Sequence, residues 1–357
     1  MARKRKIVIL FFLICSIVKP QTIINRFKVP IKLKSNFAIG YDDNYLRLSN
    51  RDLRERDLDM IGGSGSASSY ILKPSIYIDY SPVILDKKIT SIKSSITYSY
   101  FNKSIHKSYL ISRILMETKL KSYSWLRFGI RYIPKYYLRN FLDRDMSNVD
   151  FYECAFSSTE YFSNYSFPLK RIKRAWVKLY FGFTQEYYNP SFTEFDLNKS
   201  LFQITINKRL KNKSKLKFEI SNGYAKNISY GSSLLSASFN RSYTFDRLRG
   251  DFNWYIKKNK LIKNILLSIQ LEQRYYSLES VKYASDNWKY YIDGKMKIKM
   301  DWDFSDIYGV STLYQYRFRD ASSRLYGDFE WVDGAKSYSK HEVWLEFSYK
   351  FVTDILY

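Results

Sequence analysis

The sequence predicts an all-β fold, a transmembrane up-and-down antiparallel β-barrel of about 14 strands. Three observations carry that expectation. Segment after segment of roughly ten residues or more alternates apolar and polar side chains, which is about twice the usual soluble strand and close to the length that crosses a bilayer at a tilt. The number of such segments is even, as single-chain membrane barrels require. The connections sort by parity, with long ones on one side and short ones on the other, an asymmetry that stacked soluble sheets have no reason to show.

The chain opens with a basic stretch, Met1 to Lys6, followed by the apolar run Ile7 to Val18. That run is too short for a membrane helix and fits a cleaved signal peptide, placed at residues 1–20 with the barrel spanning 21–357. Ile14 stands where a lipoprotein signal carries a small residue, so Cys15 is not expected to be lipidated. Beyond the signal only Cys154 remains, which excludes an intrachain disulfide.

Strand candidates then follow in order. Lys32 to Tyr41 alternates and runs into Asp42, Asp43 and Asn44; residues 42–69, charged and then rich in Gly and Ser, read as a long flexible loop. Tyr70–Tyr80, Ile89–Phe101, Ser108–Leu120 and Tyr123–Pro134 come next, and a polar piece, Lys135 to Asp150, interrupts them. Phe151–Tyr165 pairs with Arg174–Tyr188, where Ala175, Val177, Leu179, Phe181 and Phe183 share a face that no helix could assemble. Leu197–Arg209, Leu216–Lys226, Arg241–Ile256 and Leu261–Ser277 continue the pattern. In Trp288–Phe304 the apolar face carries aromatics at both ends and aliphatics between them, the girdle arrangement of a lipid-facing strand. Ile307–Arg319 and His341–Tyr357 complete the set.

The last strand puts Val343, Leu345, Phe347, Tyr349, Phe351 and Tyr357 on one face and ends on an aromatic residue. It resembles the terminal signal strand of Gram-negative bacterial outer-membrane β-barrels, and Gly40 to Ser49 (GYDDNYLRLS) resembles the first strand and outer loop of a porin-like family of such barrels. The resemblance implies an outer-membrane location, with lipid and lipopolysaccharide around the barrel. It also implies that Phe347, Tyr349, Phe351 and Tyr357 form a signal for the barrel assembly machinery.

Composition agrees. Of 357 residues, 18% are aromatic, with 34 Tyr, and Tyr suits sites where one end of a ring is apolar and the other wet. The net charge of +25 raises nucleic acid as a partner, but the basic residues are interleaved through strands and no recognition element accompanies them. By parity the inward faces carry Lys93, Arg127, Arg131, Arg174, Lys178, Arg274, Lys295, Lys297, Lys299 and Arg317, with Glu272 among the acidic residues opposing them. Lys215, Lys217, Lys289, Arg319, Lys340 and Lys350 join the basic set; Glu219, Asp293, Asp301, Glu342 and Glu346 join the acidic one. A positive lumen favours anions.

The expected function is therefore a porin-like channel for diffusion of small solutes, anions included. The alternative is a non-channel barrel serving as a surface anchor or as an export conduit for a surface polymer or lipoprotein. No catalytic, cofactor-binding or metal site is expected. His106 and His341 are the only histidines, and His106 would need Asp143 or Asp145 to act as an acid/base pair. The loops 42–69 and 135–150 are the candidates to fold inward and narrow the lumen.

Overall fold

The computed structural model describes residues 28–55, 65–82, 89–142, 150–229, 242–256, 261–276, 289–302, 305, 307–323 and 336–356. The expected signal peptide and Tyr357 lie outside them. Fourteen antiparallel strands close into one barrel. They are β1 (Lys28–Asp42), β2 (Ser69–Tyr80), β3 (Thr90–Phe101), β4 (Tyr109–Lys121), β5 (Ser124–Leu142), β6 (Phe151–Pro168), β7 (Ala175–Tyr188), β8 (Leu197–Arg209), β9 (Lys215–Asn227), β10 (Tyr243–Tyr255), β11 (Ile262–Tyr276), β12 (Lys289–Trp302), β13 (Tyr308–Ser323) and β14 (Tyr338–Leu356). Each strand pairs with its chain neighbours, and β1 meets β14 in an unbroken register from Lys28 opposite Leu356 to Asp42 opposite Glu342.

That seam leaves no strand edge, which is the condition for backbone polar groups to sit in hydrocarbon. The outward face is apolar: Phe128, Ile269 and Val343 are 54%, 55% and 55% exposed on the outside of β5, β11 and β14. Exposure of that kind is unfavourable in water by about 25 cal/mol per Å² and costs nothing in lipid. Aromatic pairs mark both rims of the belt, Tyr41 with Tyr70 at 5.3 Å on one and Tyr308 with Tyr349 at 5.4 Å on the other. Phe347 and Phe351 are outward on the same face as Tyr349.

Two expectations are corrected. The polar piece after Pro134 is not a break: β5 runs on to Leu142, with register shifts between Ile133 and Tyr136 and between Tyr137 and Arg139. Pro134 cannot donate a ladder bond, so the strand bulges around it and then resumes along a stretch rich in Tyr and Leu. The stretch after β1 is not a featureless loop either. Residues 43–49 fold against the barrel wall and lead into a short helix, α1 (Asn50–Glu55). Ser49 caps it, since Asp52 N donates to Ser49 Oγ (3.0 Å) while Ser49 N donates to Asp52 Oδ2 (3.1 Å). This is a reciprocal capping box, written in the sequence as Ser-Asn-Arg-Asp.

Inside the barrel, glycine makes room for aromatic rings on the paired strand. Gly40 faces Trp344 and Gly129 faces Phe162, and a Cβ on either glycine would overlap the ring. The ring covers backbone that glycine would leave bare. The variant Gly40→Val therefore loses about 1 to 3 kcal/mol from overpacking, and pairing it with Trp344→Ala recovers part of that loss. Urea unfolding of the vesicle-folded barrel measures both.

Candidate functional site: the charged lumen

The lumen is built from the second face of every strand, so its chemistry follows from the same alternation that makes the outside apolar. Every inward carboxylate whose side chain is described has a cation within 4.0 Å. Lys93 and Arg127 (2.9 Å) both donate to Glu117, and Arg131 lies 3.1 Å from Glu160. Arg247 and Arg274 each approach Glu272 to 2.6 Å, and Arg319 donates two 2.9 Å bonds to Asp293. Lys199 holds Glu186 at 2.6 Å, Lys217 holds Glu219 at 2.7 Å, and Arg249 holds Asp251 at 2.8 Å. Lys299 reaches Glu346 at 3.2 Å and Asp301 at 3.7 Å, and Lys93 lies 4.0 Å from Asp79.

The most deeply buried of these groups sits at the outer end of the β1–β14 seam. Lys340 lies 2.6 Å from Asp42 and 2.7 Å from Glu342, all three side chains being nearly sealed from solvent. Its net charge is negative, and it fixes the register where the chain leaves β1.

Several cations are left over. Among the described residues, no carboxylate stands within 4.0 Å of Lys34, Lys73, Arg113, Lys178, Lys295, Lys297 or Arg317. Some lie against aromatic faces instead: Lys73 over Trp344 at 4.4 Å and Arg113 over Phe162 at 5.0 Å. Lys295 and Arg317 are cross-strand partners, a like-charge juxtaposition that costs stability and is kept all the same.

Of the residues singled out from sequence, Lys93, Arg127, Arg131, Lys178, Glu272, Arg274, Lys295, Lys297, Lys299 and Arg317 occupy inward strand positions. Arg174 does not. It sits in the turn before β7 with a φ of 60°, because the strand begins only at Ala175. His106 lies in the 3-10 turn Ile105–Lys107, 3.8 Å from Glu153, while Asp143 and Asp145 fall outside the described residues. His341 faces outward, its Nδ1 2.8 Å from the Tyr314 hydroxyl.

The first outer loop contributes residues that sequence reading missed. Tyr45, Leu46 and Leu48 are buried against Ile71, Phe101 and Tyr137, and the partly buried Tyr109 and Trp344 pack on the same cluster. Asn44 pins the turn: its Oδ1 accepts from Leu48 N (2.8 Å) and its Nδ2 donates to the Leu48 and Ser339 carbonyls. Asp52 of α1 meets Arg139 of β5 at 2.8 Å. Between these anchors Arg47 adopts a φ of 57°. Burial acts to lower its pKa, but Tyr136 on β5, Tyr338 and Glu342 on β14 and Asp293 on β12 hold it above the ordinary arginine value. Beside it Lys107 donates to the Tyr137 carbonyl at 2.6 Å, and burial pulls its pKa down to about 8. The signal for this inward loop was present as the capping box, masked by the charge of the surrounding residues.

A closed antiparallel barrel, apolar outside and charged inside, defines a transmembrane β-barrel protein of the outer-membrane class. No family model matches the chain, and no curated protein matches it either. Among solved structures it is similar to an anion-selective porin from Comamonas acidovorans, at 8% identity over 90% of this chain and 99% of that one with a TM-score of 0.45. It is similar also to OmpT, an outer membrane protein of Vibrio cholerae (8% identity, 90% and 97% covered, TM-score 0.44). A third is the outer membrane protein OpdK from Pseudomonas aeruginosa (7% identity, 92% and 99% covered, TM-score 0.38). Likeness of this depth names no solute, and what the lumen passes has to be argued from its own side chains.

Removing Lys340 leaves Asp42 and Glu342 buried without a counter-charge. Lys340→Met is expected to cost about 3 to 5 kcal/mol, seen as a lower urea midpoint for the vesicle-folded protein. Asp52→Ala unties α1 from Arg139, and trypsin added outside intact vesicles then cuts at Arg47, Arg51 or Arg54, where the parent protein resists.

Proposed function

We propose that the chain is a porin-like channel of the outer membrane, through which small solutes diffuse with a preference for anions. The observation that supports this most directly is the imbalance of the inward face: among the described side chains each inward carboxylate is held by a cation, and Lys34, Lys73, Arg113, Lys178, Lys295, Lys297 and Arg317 have no carboxylate within 4.0 Å. A neutralised carboxylate offers little attraction to a passing cation, whereas an uncommitted ammonium or guanidinium lowers the energy of a passing anion. The surplus is spread over β1, β2, β12 and β13 on one side and β4 and β7 on the other, which makes a path rather than a single trap. Conduction needs that arrangement, since a solute must bind well enough to enter and weakly enough to leave.

In this reading the protein does no chemistry and needs no cofactor. Residues 1–20 direct export and are removed, the outward aromatic face of β14 is presented to the barrel assembly machinery, and lipid and lipopolysaccharide surround the belt. Arg47 on the inward loop stands in the solute's way at the outer end. The alternative, an anchor or export conduit, predicts a barrel that is silent to small ions.

Reconstitution into planar bilayers under a potassium chloride gradient decides between them. A reversal potential on the chloride side is expected, and Lys295→Glu combined with Lys297→Glu moves it toward potassium. Arg47→Glu shifts it the same way. Preference for potassium in the parent protein, or no conductance at all, overturns the assignment.

A further inference from the structure

The inner mouth, on the side of the short turns, carries a concentration of charge that the ion pairs of the lumen leave untouched. A concave space of about 910 Å³ opens there among the turns 122–123, 169–174 and 210–214. It is lined by Lys170, Lys173 and Arg174 from the turn after β6 and by Arg209, Lys211 and Lys213 around the turn after β8. Arg127 borders it as well, already engaged with Glu117. Behind it a cavity of about 320 Å³, sharing Arg127, Ser166 and Trp176 with it, runs along the wall to Arg113, Leu115 and Lys178.

This collar has nothing of its own to neutralise it. Residues 118–142, 161–185 and 197–218, which hold the three turns and the strand segments beside them, contain no Asp or Glu. The carboxylates that bound those stretches, Glu117, Glu160 and Glu219, are held by Arg127, Arg131 and Lys217. The turns also keep their side chains at a conformational cost. Tyr123, Arg174 and Lys213, one in each turn, have φ of 61°, 60° and 69°, the left-handed region that Gly and Asn enter most readily. In two of the turns that position is given to a cation all the same.

We propose that the basic turns of the inner mouth are a docking surface for a periplasmic protein, which presents an acidic segment with apolar residues among its carboxylates. The turn cations are spread over two turns and exposed to solvent, so a small anion gains little from any one of them. A chain carrying several carboxylates meets them together. Leu169, Ile172 and Leu210 stand among the cations, with Ile172 45% exposed, and offer a surface to apolar side chains that a sugar polymer would leave unmatched. Bilayer lipid lies on the other side of the wall. The space is bounded by Trp125 and Trp176, which share the inward face with Arg127 and Lys178, whereas lipid meets the outward face. A segment held there lies across the inner opening of the barrel. This goes beyond the channel reading and does not depend on conduction.

The test is the fluorescence anisotropy of a labelled peptide of alternating Glu and Leu, titrated with the full-length barrel folded in detergent. This readout needs no current, so its failure is distinct from failure of the channel reading. Saturable binding that weakens as salt is added is expected, with none for the matching peptide of Lys and Leu. Arg174→Asn with Lys213→Asn is expected to weaken binding about tenfold, the worth of two exposed charges, without lowering the urea midpoint, because Asn accepts the left-handed backbone. Should that variant fail to fold, Lys170→Gln with Lys211→Gln, drawn from the same two turns, is expected to give the same loss. Absence of saturation, equal binding of the two peptides, or affinity unchanged in the folded variants overturns the proposal. So do two results with other ligands: polygalacturonate binding as tightly as the acidic peptide, which assigns the surface to an anionic polysaccharide, and displacement of the peptide by short-chain phosphatidylglycerol at matched charge, which assigns it to lipid.

Discussion

The structure depends on one constraint: backbone N–H and C=O groups that lie in hydrocarbon must find each other. A sheet of fourteen strands satisfies this only when its first and last strands pair, and the β1–β14 seam does so along its whole length. Much else follows from keeping that seam in register. The buried Asp42–Lys340–Glu342 group locks its outer end, Trp344 lies over Gly40 beside it, and the first loop returns along the same strands through Asn44 and Ser339. A slip of one residue would turn every apolar side chain from lipid to lumen.

Closure also sets up the electrostatics. Once the polar faces are turned inward, charges far apart in the chain are brought into one enclosed space where solvent screens them less than at a free surface. Carboxylates there are secured by arginine and lysine from neighbouring strands, often two cations to one acid, as with Glu117 and Glu272. The cations that remain give the lumen its sign. Aromatic rings take part as well: Tyr243, Tyr276 and Tyr291 form a row on β10, β11 and β12, with Arg274 and Arg319 laid over the first and the last of them. Rings and guanidinium groups stacked in this way hold the charges in place at the outer end of the barrel.

The alternation was legible because a membrane strand must repeat it over its full crossing. That is why β8, β9 and β12 could be bounded to within a residue or two from sequence. The failures occur where a local signal competes with the period. Pro134 and the charges after it suggest an end to the strand, yet pairing with β6 carries β5 through a bulge to Leu142, although β4 leaves it at Tyr132. Arg174 has the parity of a lumen residue but belongs to a turn, since parity has no meaning before the strand starts. Ile71 and Leu115 are apolar on the inward face, and only the loop packed on Ile71 and the cavity beside Leu115 account for them.

By itself the sequence determined the class of fold, the number of strands and the sign of the interior, because hydropathy of period two is a property of each strand read alone. Tertiary structure decided which charges are spent on each other and which are left, since ion pairs such as Lys340 with Asp42 and Lys299 with Glu346 join residues remote in the chain. It also decided that the first loop turns inward and that residues of six strands, β4 to β9, line one cavity on the inner side of the wall. Both depend on which strands become neighbours when the cylinder closes, a matter of distance in space that no pattern along a single strand can encode.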